Sequence, residues 1–217
     1  MILNVYKPVG WTSADVVRKV KWLTGESKVG HGGTLDPFAE GVLIIGTNRD
    51  TKMLTSVTAS DKTYEAVLQL GEETDTLDVT GTVVKKKRVP RLSKKIIEEV
   101  FTKFKGDILQ IPPAYSAKKI NGVRSYKMAR QGEFVIHQPV KVHIYSLKLL
   151  DFDHQSICFS VKCSKGTYIR VLGIEIAKAL NTVGYLKNLI RTSIGSHSLT
   201  GAKPISEIEK EWKHTLI

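Results

Sequence analysis

Gly30-His31-Gly32-Gly33-Thr34-Leu35-Asp36-Pro37 puts three glycines, one imidazole, one hydroxyl and one carboxylate into eight residues between two apolar segments. Three glycines in four positions mark a backbone that bends sharply or lets a ligand come close. Asp36 then has two readings. Asp-Pro favours turn initiation, so the carboxylate can simply open a turn. A loop that presents one fixed carboxylate in a chain this basic also reads as an active site that handles a polyanion. His31 reads either as a loop histidine or as a flat donor that stacks on a base or meets a phosphate. The stretch lacks the Gly-Lys-Ser/Thr of a P-loop and the Gly-x-Gly-x-x-Gly spacing of a dinucleotide site.

Two distant residues are further candidates. Tyr64 stands in an alternating stretch, where the default is a core aromatic whose hydroxyl reaches the surface. Arg170 falls in the first turn of an expected helix, where the dipole disfavours a cation, so an anionic partner is expected, either a carboxylate or a phosphate. The plain alternative is a surface arginine. Lys165-Gly166-Thr167 just ahead could cradle a phosphate at the helix N-terminus.

The chain that must position these groups has 217 residues, 41% of them hydrophobic, and a formal charge of +12. That size supports a substantial core. That charge attracts anions such as nucleic acid, anionic lipid or phosphorylated substrates. No apolar run approaches the ~18 residues of a membrane span, and the N-terminus shows no signal-peptide pattern. Cys158 and Cys163 are five apart in one expected strand, hence on opposite faces. A mutual disulfide is not expected, nor is a metal site, because no Cys/His ligand spacing occurs. An intracellular, cytoplasmic setting is the expectation.

Residues 13–24 read as a helix with Ser13 as N-cap, Asp15 in the first turn, a Val16, Val17, Val20 and Leu23 stripe, and Gly25 as stop. Residues 41–46 read as a buried strand, 63–70 as a half-buried one, and 81–89 as another that ends in Lys85-Lys86-Lys87-Arg88. That basic run reads first as a solvated face, with RNA contact as the sharper alternative. A helix is expected over 93–105, and a short basic helical piece over 125–130. Few large apolar residues anchor 112–139, so this segment reads as a protruding, mobile subdomain. Paired strands are expected over 140–152 and 156–163, then a helix capped by Thr167, and a last helix over 204–212. Strands and helices follow no βαβα rhythm, which indicates α+β with a mixed, mostly antiparallel central sheet flanked by helices.

Lys7-Pro8-Val9-Gly10-Trp11-Thr12-Ser13, the loop block continued to Leu43, Lys62-Thr63-Tyr64, residues 71–78, residues 111–117 and residues 163–170 together resemble the bacterial TruB family of tRNA pseudouridine synthases. The blocks follow the family's order and spacing from Lys7 to about Gly195. The resemblance implies a pseudouridine synthase fold and isomerisation of uridine to pseudouridine at position 55 in the T loop of tRNA, by base flipping. It implies no metal and no cofactor. It makes Asp36 the group that starts the reaction, Tyr64 a residue against the target base, and Arg170 the partner of the aspartate. His31 would fill the space near the displaced base, Lys7 would lie near the site, and Leu189 would pack near the base. Lys118, Lys119, Arg124, Lys127 and Arg130 would give salt-sensitive phosphate contacts from the 112–139 insertion.

The expected organisation is one catalytic domain over 1–200 with a short tail over 201–217, too short for the RNA-binding PUA domain that many relatives carry. A position two residues after Gly195, often aromatic in the family, holds His197. The expected partner is the tRNA T arm, with no obligate protein partner, no membrane, and a monomeric state. The alternatives are a non-catalytic tRNA-binding or RNA-folding protein and a guide-RNA-dependent relative.

Overall fold

The computed structural model of the protein describes residues 1–217 apart from 117, 121, 134, 136, 216 and 217, and of residues 119, 130 and 213–215 the backbone. The chain divides into two compact units, residues 1–65 with 189–217, and residues 66–188.

The first unit begins with β1 (Ile2–Lys7), α1 (Ser13–Thr24), β2 (Val29–Gly32) and β3 (Glu40–Thr47). A 3-10 turn, Asn48–Met53, leads into α2 (Leu54–Ala59) and β4 (Lys62–Leu70), which runs on into the second unit. β3 pairs antiparallel with β1 on one edge, and on the other with β2, antiparallel, and with a later strand at Glu40 and Gly41. Its Val-Leu-Ile-Ile run is buried on both faces. Leu43 and Ile45 pack with Val5, Val16, Val20 and Ile208, while Val42 and Ile44 pack with Leu54 and Ile194. A continuous apolar strand is what a two-sided covering requires.

α1 has the expected bounds but a different start. Thr12 is the N-cap, in a capping box with Asp15, and Gly25 closes the helix at φ 68°. Ser13 is therefore the first helical residue, and its hydroxyl is used elsewhere. The glycine-rich stretch also differs from the expected loop, because residues 29–32 form β2 with His31 opposite Ile45. A Cβ on Gly32 would lie 2.6 Å from Val57 Cγ1, and one on Gly30 would lie 3.2 Å from Leu54 Cδ1. These two glycines let α2 pack against the strand rather than admit a ligand.

The second unit continues β4 and adds the hairpin β5 (Glu72–Thr74) and β6 (Val83–Lys86), then α3 (Lys94–Thr102), capped by Ser93, and β7 (Gly106–Gln110). The short pair β8 (Lys119–Ile120) and β9 (Val123–Arg124) precedes α4 (Ser125–Arg130). Long strands β10 (Val140–Phe152) and β11 (Ser156–Cys163) lead to α5 (Ile169–Ala179) and β12 (Gly184–Ile194), which returns to the first unit. β10 pairs antiparallel with both β11 and β7. Phe101 of α3 meets Phe159 edge-on at 5.9 Å between ring centroids. Cys158 is half-buried and Cys163 buried, on opposite faces of β11.

The chain closes in the first unit with β13 (His197–Ser198), β14 (Lys203–Pro204) and α6 (Ile205–Thr215), which is joined to α1 by Lys19–Glu209 at 3.2 Å. β1 with β14 and β3 with β12 pair parallel, while β1 with β3, β2 with β3, β7 with β10, β10 with β11 and β12 with β13 pair antiparallel, so the sheet is mixed and mostly antiparallel as expected. β7 and β12 were not expected as strands. Among the described residues no helix is long and apolar enough to cross a membrane, and no group of three His, Cys, Asp or Glu could hold a metal.

Candidate active site

In the first unit, Asp36 is half-buried and opens a turn. Its carbonyl accepts from Ala39 N at 3.1 Å, with Pro37 in the second position. The turn reading of Asp-Pro is thus correct. The residues on either side are held by three buried groups. Ser13 Oγ donates to Leu35 O at 3.1 Å and accepts from Leu35 N at 2.9 Å. Pro37 O accepts from Gly10 N at 2.8 Å and, at 3.5 Å, from Lys7 Nζ. Arg191 Nη2 donates to Gly33 O at 3.0 Å, its Nη1 to Thr34 O at 3.5 Å, and its Nε to Val42 O at 2.7 Å.

Lys7 and Arg191 are among the largest fully buried side chains. Each follows an apolar residue two positions earlier on the buried face of a strand, Val5 on β1 and Leu189 on β12. A buried cation must find acceptors. Lys7 Nζ finds Trp11 O at 2.6 Å and Pro8 O at 2.9 Å besides Pro37 O. Burial lowers the Lys7 ammonium pKa from 10.5 to about 8; Asp36 and Glu40 pull it back up, and Arg191 adds to the lowering. The enclosed lysine therefore senses Asp36 electrostatically while giving its hydrogen bonds to the backbone around it. Beside it on β1, Tyr6 donates to Glu40 Oε2 at 2.6 Å, and this bond with burial raises the phenol to about 12.

Gly33 has φ 87° and Gly41 has φ 104°. A Cβ on Gly41 would lie 2.4 Å from Arg191 O, so glycine is required where β3 passes β12. Tyr64 is buried on β4, His31 is half-buried on β2, and Leu189 is buried on the same face of β12 as Arg191. Sequence reading did not single out Arg191.

In the second unit Arg170 occupies the first turn of α5 and is 4% exposed, so it is not a surface arginine. The expected anionic partner is present in its own unit. Arg170 Nη1 lies 3.6 Å from Asp78 Oδ2 and donates to Thr76 O at 2.7 Å, and Nη2 donates to Tyr115 O at 2.8 Å. Asp78 is braced in turn, its Oδ1 accepting from Thr76 Oγ1 at 2.9 Å, Thr80 N at 3.0 Å and Thr80 Oγ1 at 2.5 Å. Leu77 between them adopts a left-handed φ of 64°. Thr167 does not cap α5. Tyr168 takes that place, and Thr167 Oγ1 donates to Ser164 O.

Residues 112–139 start at the Arg170 site, through Tyr115 O, and are tied together internally. Buried Ser125 donates to Ala114 O at 2.6 Å and lies 2.8 Å from His137 Nε2. Burial, then Lys118, lowers the His137 pKa. Lys118 is half-buried, and Arg124 and Lys127 are exposed. The side chains of Lys119 and Arg130 lie outside the described residues.

Residues 21–169 match the family model described as TruB family pseudouridylate synthase (N terminal domain). The tRNA pseudouridine synthase B of Clostridium acetobutylicum is 43% identical over 210 residues, 97% of this chain and 72% of that protein. That of Hydrogenovibrio crunogenus is 45% identical over 208 residues, 96% and 69%. Among solved structures, a chain of a Cbf5-Nop10-Gar1 complex aligns with all of this chain and 56% of its own length, at TM-score 0.78 and 26% identity. A chain of an H/ACA RNP bound to a substrate RNA containing 2'-deoxyuridine gives 0.74 at 24% identity, over 55% of its length, a likeness of fold alone.

Proposed function

This chain belongs to the TruB family of pseudouridylate synthases, and from that premise we propose that it isomerises uridine to pseudouridine in tRNA, at position 55 of the T loop. The enzyme detaches the base from C1′, turns it, and rejoins it through C5. Asp36 starts this sequence as nucleophile or base. The observation that carries the assignment is the clamping of the backbone on both sides of Asp36 by Ser13, Lys7 and Arg191, which fixes where in the fold its carboxylate is presented. Preorganised charge of this kind is what electrostatic catalysis requires.

The target base leaves the folded T loop at a cost of a few kcal/mol. Stacking on Tyr64 returns about 1–3 kcal/mol. Leu189 flanks the base, and His31 fills the vacated space. Arg170 is held in its own unit by Asp78 and the Thr76 and Tyr115 carbonyls. Lys7 acts through the loop, because its ammonium is committed to carbonyls. Lys118, Lys119, Arg124, Lys127 and Arg130 hold T-arm phosphates from an insertion that closes over the RNA. The enzyme works in the cytoplasm as a monomer with no obligate protein partner. Identities of 43–45% with tRNA pseudouridine synthases, against 26% with the chain of the Cbf5-Nop10-Gar1 complex, favour tRNA as the substrate.

Incubation of the protein with an unmodified tRNA transcript is expected to yield pseudouridine at position 55. Asp36→Asn is expected to lose at least about a thousandfold in turnover while RNA binding and melting temperature stay near wild type. Turnover by Asp36→Asn within a few-fold of wild type would remove Asp36 from the mechanism. RNA binding by the wild type without product would favour a binding protein.

A further inference from the structure

The reading above leaves unused the densest charge in the chain. Thr82 to Ile97 holds seven lysines and arginines, no acid and no aromatic residue. All seven are exposed. Three have partners: Lys86 with Glu72 at 2.6 Å, Lys87 with Asn181 Oδ1 at 2.7 Å, and Lys94 with Glu98 at 3.9 Å. The side chains of Lys85, Arg88, Arg91 and Lys95 form no ion pair or hydrogen bond with any described residue. Glu72 and Glu73 on β5 and Glu98 on α3 offset three charges, which leaves a surplus of four cations out of the chain's net +12.

The backbone sets where this surface lies. Lys87 N donates to Gly71 O at 2.9 Å, and Lys87 O accepts from Thr182 Oγ1 at 3.2 Å. The basic segment is thus fastened beside the C-terminal end of α5, whose first turn carries Arg170. Eleven helical residues span about 16 Å, on the order of five nucleotide steps of a stem. With no aromatic side chain to stack on bases, unpaired cations recognise phosphates without regard to sequence.

We propose that β6 and the 87–95 connection form a phosphate-binding face for the helical stem that adjoins the target uridine, separate from the 112–139 insertion. This rests on tRNA being the substrate. Polyphosphate backbone is the occupant that matches unpartnered, solvated cations at this distance from Arg170.

The test is the triple variant Lys85→Gln, Arg88→Gln, Arg91→Gln, assayed on full-length tRNA transcript across a salt series. KM is expected to rise about tenfold at moderate salt with kcat within twofold of wild type. The slope of log KM against log salt is expected to become shallower by about two to three, one counterion for each lost contact. All three residues are exposed, so an unchanged melting temperature verifies folding. An unchanged KM and salt slope would overturn the proposal, even if the variant lost affinity for phosphatidylserine vesicles, which would instead mark a lipid-binding face. Failure of the wild type to form pseudouridine would strike the functional reading rather than this surface.

Discussion

Two buried arginines, one in each unit, are held in contrasting ways. Arg191 spends Nε, Nη1 and Nη2 on three main-chain carbonyls, those of Val42, Thr34 and Gly33, and no described carboxylate lies within ion-pair distance. Arg170 uses two carbonyls, those of Thr76 and Tyr115, and also meets the carboxylate of Asp78. The first arrangement is a staple, in which a guanidinium fork fixes where the Asp36 turn lies. The second aims a charge, because the orientation of Arg170 depends on an anion that is itself braced by Thr76 and Thr80. A planar fork suits both tasks, and an ammonium suits neither.

The contrast can be broken experimentally. Arg170→Lys keeps the charge near Asp78 but loses the fork, and kcat is expected to fall about a hundred- to a thousandfold. Urea unfolding of that variant should change less than its rate does. Arg191→Met removes the bonds to one buried and two partly buried carbonyls, and stability is expected to drop by about 1–3 kcal/mol. If its urea midpoint equals that of wild type, Arg191 is no staple.

A third measurement concerns the other buried cation on this loop, Lys7. Below pH 8 the folded and unfolded chains both hold its proton, and the cost of the buried charge is fully present. Between about 8 and 10.5 the folded chain has released the proton while the unfolded chain keeps it, so stability rises with pH. The full window is worth about 3 kcal/mol. Tyr6 opposes this above pH 10, where the unfolded phenol ionises before the folded one. Between pH 7.5 and 9.5 the stability of wild type relative to Lys7→Met should therefore climb, and a flat difference would show that Lys7 does not titrate there.

The smallest expected effect sharpens the Arg170 side. Thr80→Val removes the hydroxyl bond to Asp78 and should cost about 1 kcal/mol of stability with a few-fold loss of kcat. Loss of stability with an unchanged kcat would show that bracing Asp78 does not reach the chemistry.

Elements with a strong local pattern were legible in the sequence. The bounds of α1 and α4 and the alternation of β4 follow from periodicity and stop signals, and the opposite faces of Cys158 and Cys163 follow from strand parity. What could not be read was decided by distant neighbours. Ser13 and Thr167 have the chemistry of N-caps, but Thr12 and Tyr168 hold those positions, because the hydroxyls bond Leu35 and Ser164 instead. Gly30 and Gly32 look like ligand-approach glycines, and only the nearness of Leu54 and Val57 shows them to be packing glycines. Arg191 was hidden because its acceptors lie about 150 residues away in sequence. The candidate residues themselves came from six blocks of resemblance, since no single one of them carries enough chemistry alone.

The double hydrogen bond of Ser13 with Leu35 has a consequence for motion. The first turn of α1 and the segment entering the Asp36 turn share one hydroxyl, so neither opens without the other. Their amides should exchange with deuterium as a single cooperative block, at a free energy near that of global unfolding. An enzyme whose Asp36 turn opens only together with α1 does not carry that carboxylate to the RNA. The nucleotide must travel to it, and the mobility that capture requires has to come from the RNA and from surfaces outside that block.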